Sequence, residues 1–133
     1  MADGAAFVLC TLLSVKPRPG ISRYDKDMEP EYVLVMTTLP ADADPAEFAR
    51  TIVEQRLAAC VNLLAPMESV YRWEGRIEQE PERQVVLKTS RDRVDALWER
   101  VRDLHPYDVP EFIVLPIVDG NDAYLRWIGE STR

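Results

Sequence analysis

The chain has 133 residues, 47% of them hydrophobic, and is therefore long enough to bury one core without metal or disulfide staples. Its formal net charge of −7 opposes binding to polyanions, and no stretch reaches the ~20 apolar residues that a membrane helix needs. Neither nucleic acid nor a membrane is therefore an expected partner. Cys10 and Cys60 lie far apart in unlike contexts, which fits a reducing compartment, and we expect a cytoplasmic protein.

Residues 1–30 predict a flexible N-terminal extension. After a short apolar run these residues are rich in proline, glycine and charged side chains, and their apolar residues show no sustained periodicity. We expect residues 31–133 to form the single folded domain. Its first element is a strand at Tyr32–Thr38, because this apolar run is bounded by Pro30 and Pro40 and is typical of a strand buried on both faces.

A helix is predicted next, from Asp44 to about Ala58. Asp44 can cap its first turn, Pro45 suits the first helical position and Glu47 resembles the acidic end of a capping box. Apolar residues recur at intervals of three and four along this segment, at Phe48, Ala49, Ile52, Val53 and Leu57. This period gives the helix one apolar face, which we expect to cover a sheet.

The stretch from Ala58 to Ser90 predicts one long β-hairpin. Its arms are rich in β-branched and aromatic residues and meet at the turn 73–76, where Gly75 can take the positive φ of a tight reversal. Pairing about this turn places Tyr71 opposite Glu78, and the two ends of the turn, Trp73 and Arg76, opposite each other.

Two prolines, Pro66 and Pro81, lie at nearly the same height on the two arms of this hairpin. Because proline cannot donate to the hydrogen-bond ladder, they predict a bend and a tip that projects beyond its own domain. A two-stranded tip is marginal alone in water. Since this tip carries Tyr71, Trp73 and Ile77, we expect it to pack on another subunit.

A second helix is predicted from Ser90, which we expect to cap it. Its apolar residues recur at helical spacing, at Val94, Leu97, Trp98, Val101 and Leu104. Pro106 must end this helix, since proline cannot continue the ladder. Residues 112–118 then predict a strand, residues 119–121 a turn, and residues 123–128 a short last helix capped by Asn121.

The predicted order of elements is β-α-β-β-α-β-α. It indicates an α+β fold of the ferredoxin-like split βαβ type, in which an antiparallel sheet of four strands carries two helices on one face. The extended β-hairpin and an extra C-terminal helix are additions to that fold. Because this fold hosts many functions, the order of elements does not choose among them.

Five stretches, taken together, resemble the CutA divalent-cation tolerance family: residues 55–62, 71–75, 87–89, 104–110 and 124–128. The resemblance runs from Glu31 to Arg133, and five motifs in this order and spacing argue against chance similarity. It implies a ferredoxin-like subunit in a tight homotrimer, cytoplasmic in bacteria and linked to tolerance of copper and other divalent ions. It implies no established enzymatic reaction.

His105, the only histidine, is the candidate metal ligand. Family members with a copper site resemble this chain but carry a cysteine and a further histidine where it has Met36 and Leu104. The site carried over from the resemblance is therefore His105 alone, with no cofactor required and copper or another divalent cation as the ion. Met36 or Asp108 from neighbouring subunits are the candidates to join it in a weak, unselective site. The alternative is that His105 ends a helix or fills the core.

Four other side chains each admit two interpretations. Cys60 is either a redox or metal thiolate or a small buried hydrophobe, and the second is favoured because no histidine lies near it in the sequence. Trp73, Tyr107 and Trp127 form either an aromatic ligand pocket or the filling of interfaces.

The charged residues are interpreted in the same way. Lys88 and Arg72 either receive a small anion between subunits or form salt bridges. The acidic residues 78–82 are either a solvated loop or a weak site for divalent ions.

The sequence contains no nucleophile elbow, phosphate-binding loop or zinc-protease motif, so we predict no enzymatic activity. The alternative function comes from another class, the trimeric P-II-like signalling modules. Such trimers share this topology and bind small molecules in clefts between subunits, although this chain has no glycine-rich phosphate loop.

Overall fold

The computed structural model describes residues 21–23 and 30–133. Its elements in chain order are β1 (Ile21–Arg23), β2 (Tyr32–Pro40), α1 (Pro45–Glu54), β3 (Cys60–Trp73), β4 (Arg76–Ser90), α2 (Val94–Leu104), β5 (Ile113–Pro116), β6 (Asp119–Asn121) and α3 (Asp122–Ser131). None of the helices in this part of the chain is long and apolar enough to cross a membrane. The extension predicted for residues 1–30 falls outside the described residues, apart from β1 and Pro30.

The main sheet has the strand order β3-β4-β2-β5, and every neighbouring pair in it is antiparallel. α1 connects β2 to β3, and α2 connects β4 to β5. This order places the first and third strands of the sheet at its centre, as in the ferredoxin-like split βαβ fold. The predicted α+β class is therefore confirmed. β1 and β6 pair separately as an antiparallel ribbon.

The core lies between one face of this sheet and the two helices α1 and α2. Its buried side chains come from alternate strand positions and from one stripe of each helix, and they include Val33, Val35, Val85, Leu87, Phe48, Ile52, Leu97 and Val101. Because successive strand residues point to opposite faces, Leu34 and Met36 lie on the other side, where they are only half-buried. The prediction of a first strand buried on both faces is thus wrong for the single chain.

β3 and β4 form the predicted hairpin, with Trp73 opposite Arg76 and Tyr71 opposite Glu78 as predicted. Residues 74 and 75 both have positive φ, at 49° and 78°. This backbone is typical of a type I′ turn, whose twist matches that of the strands it joins. Local turn chemistry therefore sets the register of the hairpin from the turn as far as Pro66.

A β-bulge interrupts the hairpin between Leu63 and Pro66. The Arg83 guanidinium holds it, since its Nη1 donates to the Leu64 carbonyl at 2.7 Å. Pro66 pairs with Arg83 whereas Pro81 pairs with Glu68, so the two prolines are offset along the ladder. The irregularity predicted from both prolines is therefore found on the β3 arm.

The outer part of this hairpin has no third strand beside it. β4 pairs with β2 only from Glu82 onward, so the residues between Glu68 and Pro81 pair with each other alone. The apolar side chains Val70 and Ile77 are 65% and 62% exposed there. The tip projects from its domain, as predicted.

α1 ends before the predicted boundary near Ala58. Arg56 has a positive φ of 58°, and the backbone N–H groups of Arg56 and Leu57 bond to the carbonyls of Val53 and Ile52. This left-handed cap satisfies the last carbonyls of the helix and turns the chain toward β3. Leu57 and the residue after it are thereby buried in the core rather than placed on a helical turn.

The two predicted caps differ in outcome. Ser90 makes no side-chain cap bond, because its hydroxyl lies 2.5 Å from Thr132 Oγ1 and a 3-10 turn at residues 91–93 precedes α2. Asn121 does cap α3, since its Oδ1 accepts from the N–H groups of Ala123 and Tyr124 at 2.9 and 3.2 Å. The hydroxyl of Ser90 instead ties the C-terminal end of the chain to β4.

The connection between the last strand and α3 also differs from the prediction. Residues 119–121 were expected as a turn, but they form β6 and pair with Ile21–Arg23. The preceding strand is shorter than predicted, Ile113–Pro116 instead of residues 112–118. A partner strand distant in sequence decides this pairing, so no local pattern indicates it.

Candidate functional site

A groove of about 730 Å³ lies between the projecting hairpin and the loop that joins α2 to β5. The hairpin contributes alternate residues to its wall, namely Met67, Ser69, Tyr71 and Trp73 from β3 and Glu82 and Gln84 from β4. The loop contributes residues 106–111, and Thr38 completes the lining. The volume falls in the ~300–1,000 Å³ range of small-molecule sites.

Tyr107 and Glu82 meet across this groove. The Tyr107 hydroxyl donates to Glu82 Oε2 at 3.0 Å, and Glu82 is only 7% exposed. Burial, followed by the hydrogen bond to Glu82 and the charge of that carboxylate, raises the pKa of Tyr107 to about 12. The phenol therefore stays protonated and keeps donating throughout the neutral pH range.

His105 positions Tyr107 in the groove. Its Nε2 lies 2.6 Å from the Thr38 carbonyl, which can only accept, so Nε2 carries the proton. Its Nδ1 accepts the backbone N–H of Tyr107 at 3.1 Å, and the two rings lie 4.9 Å apart. Both nitrogens of this buried imidazole are thus engaged within the chain.

Gln84 fixes the other end of the loop. Its Nε2 donates to the Thr37 carbonyl and to Glu111 Oε2, both at 2.8 Å. The loop is therefore attached to the sheet at His105 and again at Glu111. These bonds join the loop wall of the groove to the sheet at both ends of the loop.

The predicted metal ligands form no evident centre in a single chain. The described residues contain no group of three or more His, Cys, Asp or Glu side chains suited to a metal ion. Met36 lies in the sheet between Val86 and Ile113, while Asp108 lies on the groove loop. A metal-binding role for His105 stays a prediction. Cys60 is a free, half-buried thiol at the start of β3.

The three aromatic residues predicted as a pocket are divided between two places. Trp73 and Tyr107 line the groove, together with Tyr71. Trp127 lies elsewhere, on α3, where its ring packs against Tyr124 at an angle of 41° with ring centroids 5.3 Å apart. An aromatic site is thus formed, with Tyr71 in place of Trp127.

Lys88 and Arg72 are not brought together within one chain. Lys88 Nζ lies 3.3 Å from the Tyr124 hydroxyl near the base of the hairpin, whereas Arg72 pairs with Ile77 near its tip. An anion site formed by both therefore needs a second subunit.

The acidic residues 78–82 are part of β4, so their interpretation as a solvated loop is wrong. Glu82 differs from its exposed neighbour Glu80 in being buried against Tyr107. Glu82 is the groove residue that sequence reasoning missed. The signal was the strand period, which places Glu82 and Gln84 on one face of β4.

The comparisons with known proteins agree with this architecture. The model of the CutA1 divalent ion tolerance protein family matches residues 33–131. The chain is 43% identical over 101 residues to the chloroplastic protein CutA of Arabidopsis thaliana, covering 76% of this chain but only 56% of that relative. It is 42% identical over 99 residues to the divalent-cation tolerance protein CutA of Thermus thermophilus, covering 74% and 96% of the two chains. The crystal structure of CutA1 from Oryza sativa superimposes with a TM-score of 0.74 at 42% identity, covering 79% and 96%. The chain therefore belongs to the CutA1 divalent ion tolerance protein family.

Proposed function

We propose that this protein is a cytoplasmic homotrimer that acts in tolerance of copper and other divalent cations without catalysing a reaction. Membership of a family described by divalent ion tolerance supports the role. The absence of catalytic motifs from the sequence supports a non-enzymatic mode of action.

Two uncovered surfaces support the trimer. One is the hairpin tip, where Val70 and Ile77 are more than half exposed. The other is β5, an edge strand with Ile113, Val114 and Leu115 at 47%, 38% and 39% exposure. An exposed apolar edge strand invites pairing with another chain. Two unlike surfaces on each subunit permit a heterologous contact, which in the proposed trimer closes into a ring of three.

Sedimentation equilibrium at micromolar concentration tests this assembly. We expect one species with three times the 15.2 kDa chain mass. A monomer under these conditions would contradict the trimer.

The proposed metal binding is weak and unselective. For His105 to bind an ion, Nδ1 must release the Tyr107 N–H or Nε2 must release the Thr38 carbonyl. Each exchange costs a hydrogen bond of a buried group, which lowers the affinity. The remaining donors we propose, Met36 and carboxylates such as Asp108, would come from neighbouring subunits.

Titration of copper(I), copper(II) and zinc into the wild-type protein and His105→Ala tests this site. We expect weak binding of all three ions, which is lost in the variant. His105→Gln is the control, because its amide can still donate to Thr38 but offers no imidazole. Tight, selective binding that survives both substitutions would contradict the proposal and direct attention to Cys60.

A P-II-like role is the second candidate, and the groove is the observation that favours it. The groove, however, carries the carboxylates of Glu82, Asp108 and Glu111, and the described residues lining it include no lysine or arginine. Such a lining repels polyphosphate. We therefore expect no heat when adenine nucleotides are titrated into the protein, and nucleotide binding would favour the second candidate.

A further inference from the structure

Glu82 is a buried carboxylate without a counter-charge in its own chain. It is more than nine-tenths buried and lines the groove between the hairpin and the loop 106–111. Its hydrogen-bond partner is the neutral hydroxyl of Tyr107, and no cationic side chain of the described residues forms an ion pair with it. Burying a carboxylate unpaired is costly. A positive charge supplied by another chain would lower that cost.

The sheet face that carries Glu82 also carries Lys88. Successive strand residues point to opposite faces of a sheet, and Val85 and Leu87 of β4 lie in the core. Glu82 and Lys88 therefore lie on the face opposite α1 and α2, which we call the second face. Lys88 follows Glu82 by six residues along β4, a separation of roughly 20 Å at ~3.3 Å per residue. The two side chains are thus too far apart to pair within one chain.

Lys88 also lacks a counter-charge among the described residues. It is half-buried, and its Nζ lies 3.3 Å from the Tyr124 hydroxyl. No carboxylate of the described part of the chain forms an ion pair with it. Because an ammonium group has three donors, Lys88 keeps donors for a further acceptor. The second face therefore carries two opposite charges at separate places, each without an ionic partner in the described chain.

The surface between these two charges is apolar. Val86 lies between them on β4, and the strand pairing sets Leu34, Met36, Ile113 and Leu115 beside it on the second face. Ile113 and Leu115 are 47% and 39% exposed. A subunit that packs on this apolar surface would remove both charges from water. Both would then be compensated if they meet across the contact.

We propose that Lys88 of one subunit enters the groove of the next subunit and pairs with Glu82, so that the Glu82 site is complete only in the assembly. The pair rests on the trimer proposed above. Because Glu82 and Lys88 occupy different places on one face, the contact is heterologous. Each subunit gives Glu82 to one neighbour and Lys88 to the other, and such contacts close into a ring of three. The hairpin wall of the groove is then covered by the neighbouring subunit.

Arg76 is the other cationic side chain that β4 places on the second face. Its Nε lies 4.0 Å from Glu78 Oε1 in its own chain, and its side chain is 80% exposed. Arg76 and Glu82 both belong to the outer half of the hairpin, so a reciprocal pairing between them sets two hairpins against each other. Such an isologous contact forms a dimer and not a ring of three. The proposed trimer therefore favours Lys88.

Mixed trimers of two variant chains test the pair. Glu82→Gln and Lys88→Gln chains are co-expressed with tags of different mass, and the trimers that they form are counted by native mass spectrometry. A trimer of one variant leaves an unpaired charge at every contact, whereas a mixed trimer leaves one at a single contact. We therefore expect mixed trimers at least ~10-fold in excess of random association of the two chains. Random proportions would overturn the pair.

Glu80→Gln, co-expressed with Lys88→Gln, is the matched control. Glu80 is an exposed carboxylate that precedes Glu82 on the second face. In this mixture each Lys88→Gln chain breaks one contact whatever its neighbours are, so the proportions should be random. An excess of mixed trimers as large as that with Glu82→Gln would overturn the assignment to Glu82.

Sedimentation of the wild-type protein separates the two proposals. A wild-type trimer whose variants mix at random would overturn the ion pair alone, whereas a wild-type monomer would overturn both the trimer and the pair. The chain that carries Glu82→Gln and Lys88→Gln together removes both charges. If the two side chains pair, its trimer should dissociate less readily than that of either single variant. Effects of the two substitutions that simply multiply would contradict the pair.

Discussion

At the scale of single residues, Tyr107 connects the buried carboxylate to the loop. Its hydroxyl donates to Glu82 and its backbone N–H donates to His105, which in turn donates to the Thr38 carbonyl. The lone histidine thus acts in the described structure as a positioning residue for the groove. Each member of this chain of hydrogen bonds satisfies a polar group that burial would otherwise leave unpaired.

The raised pKa of Tyr107 predicts a pH dependence. Folding raises this pKa from 10.0 to about 12, so the folded state holds the phenol proton more tightly than the unfolded state does. The resulting contribution to stability is fully present below pH 10.0 and is lost as pH rises from there to about 12. Alkaline titration followed by phenolate absorbance measures this pKa, with Tyr107→Phe as the reference. The absorbance difference between wild type and Tyr107→Phe should therefore appear at a pH well above that at which tyrosine ordinarily ionises.

Glu82→Gln tests the cause of this shift. Removing the carboxylate charge should lower the pKa of Tyr107 toward its ordinary value, although burial still raises it. A Tyr107 titration that is the same with and without the Glu82 charge would show that burial alone is responsible.

At the scale of elements, the end of α1 predicts a stabilising substitution. Arg56 has a φ of 58°, in the left-handed region where residues other than glycine are sterically strained. Arg56→Gly should therefore raise the free energy of unfolding by about 0.5–1 kcal/mol, because the backbone bonds of the cap remain. Thermal unfolding at fixed protein concentration measures the change.

Gln55→Gly is the matched control for this substitution. Gln55 precedes Arg56 and has a φ of −83°, where glycine removes no steric cost. Glycine there adds freedom to the unfolded chain and also removes the hydrogen bond that Arg100 Nε donates to Gln55 Oε1 at 3.1 Å. We expect this variant to be less stable than wild type. Shifts of the same sign in both variants would mean that the left-handed cap carries no strain.

At the scale of the whole molecule, the proposed assembly depends on the hairpin tip. Trp73 is 48% exposed in the single chain, beside the exposed Val70 and Ile77. If the tip packs on another subunit, Trp73→Ala should weaken association by at least ~2 kcal/mol while the subunit itself stays folded. Sedimentation over a dilution series, combined with circular dichroism, separates these two effects.

Val53→Ala is the control for this experiment. Val53 lies on α1, which is not part of the hairpin tip, and is also exposed, at 41%. The substitution removes apolar surface without changing the tip. The variant oligomer should therefore dissociate over the same concentration range as the wild type. If Trp73→Ala dissociates no more readily than Val53→Ala, the tip does not contribute to the interface.

Features that depend on neighbours along the chain could be predicted from the amino-acid sequence. Gly75 within the turn 73–76 sets the hairpin register, and Asn121 caps the helix that follows it. Apolar periods located the core faces of α1 and α2, and their order with the strands indicated the split βαβ fold. These signals are local, because turn geometry, capping and side-chain period need only a few adjacent residues.

Features that depend on partners distant in sequence could not be predicted and are set by the folded chain. Ser90 bonds to Thr132 rather than capping α2, and residues 119–121 pair with β1 rather than turning freely. Glu82 is buried within an acidic segment because Tyr107 reaches it from a loop that follows another helix. Such long-range contacts compete with the local conformational preferences of the chain, and they prevail where they satisfy buried polar groups. The groove and its acidic lining are formed by these contacts, so they could not be predicted from local sequence patterns.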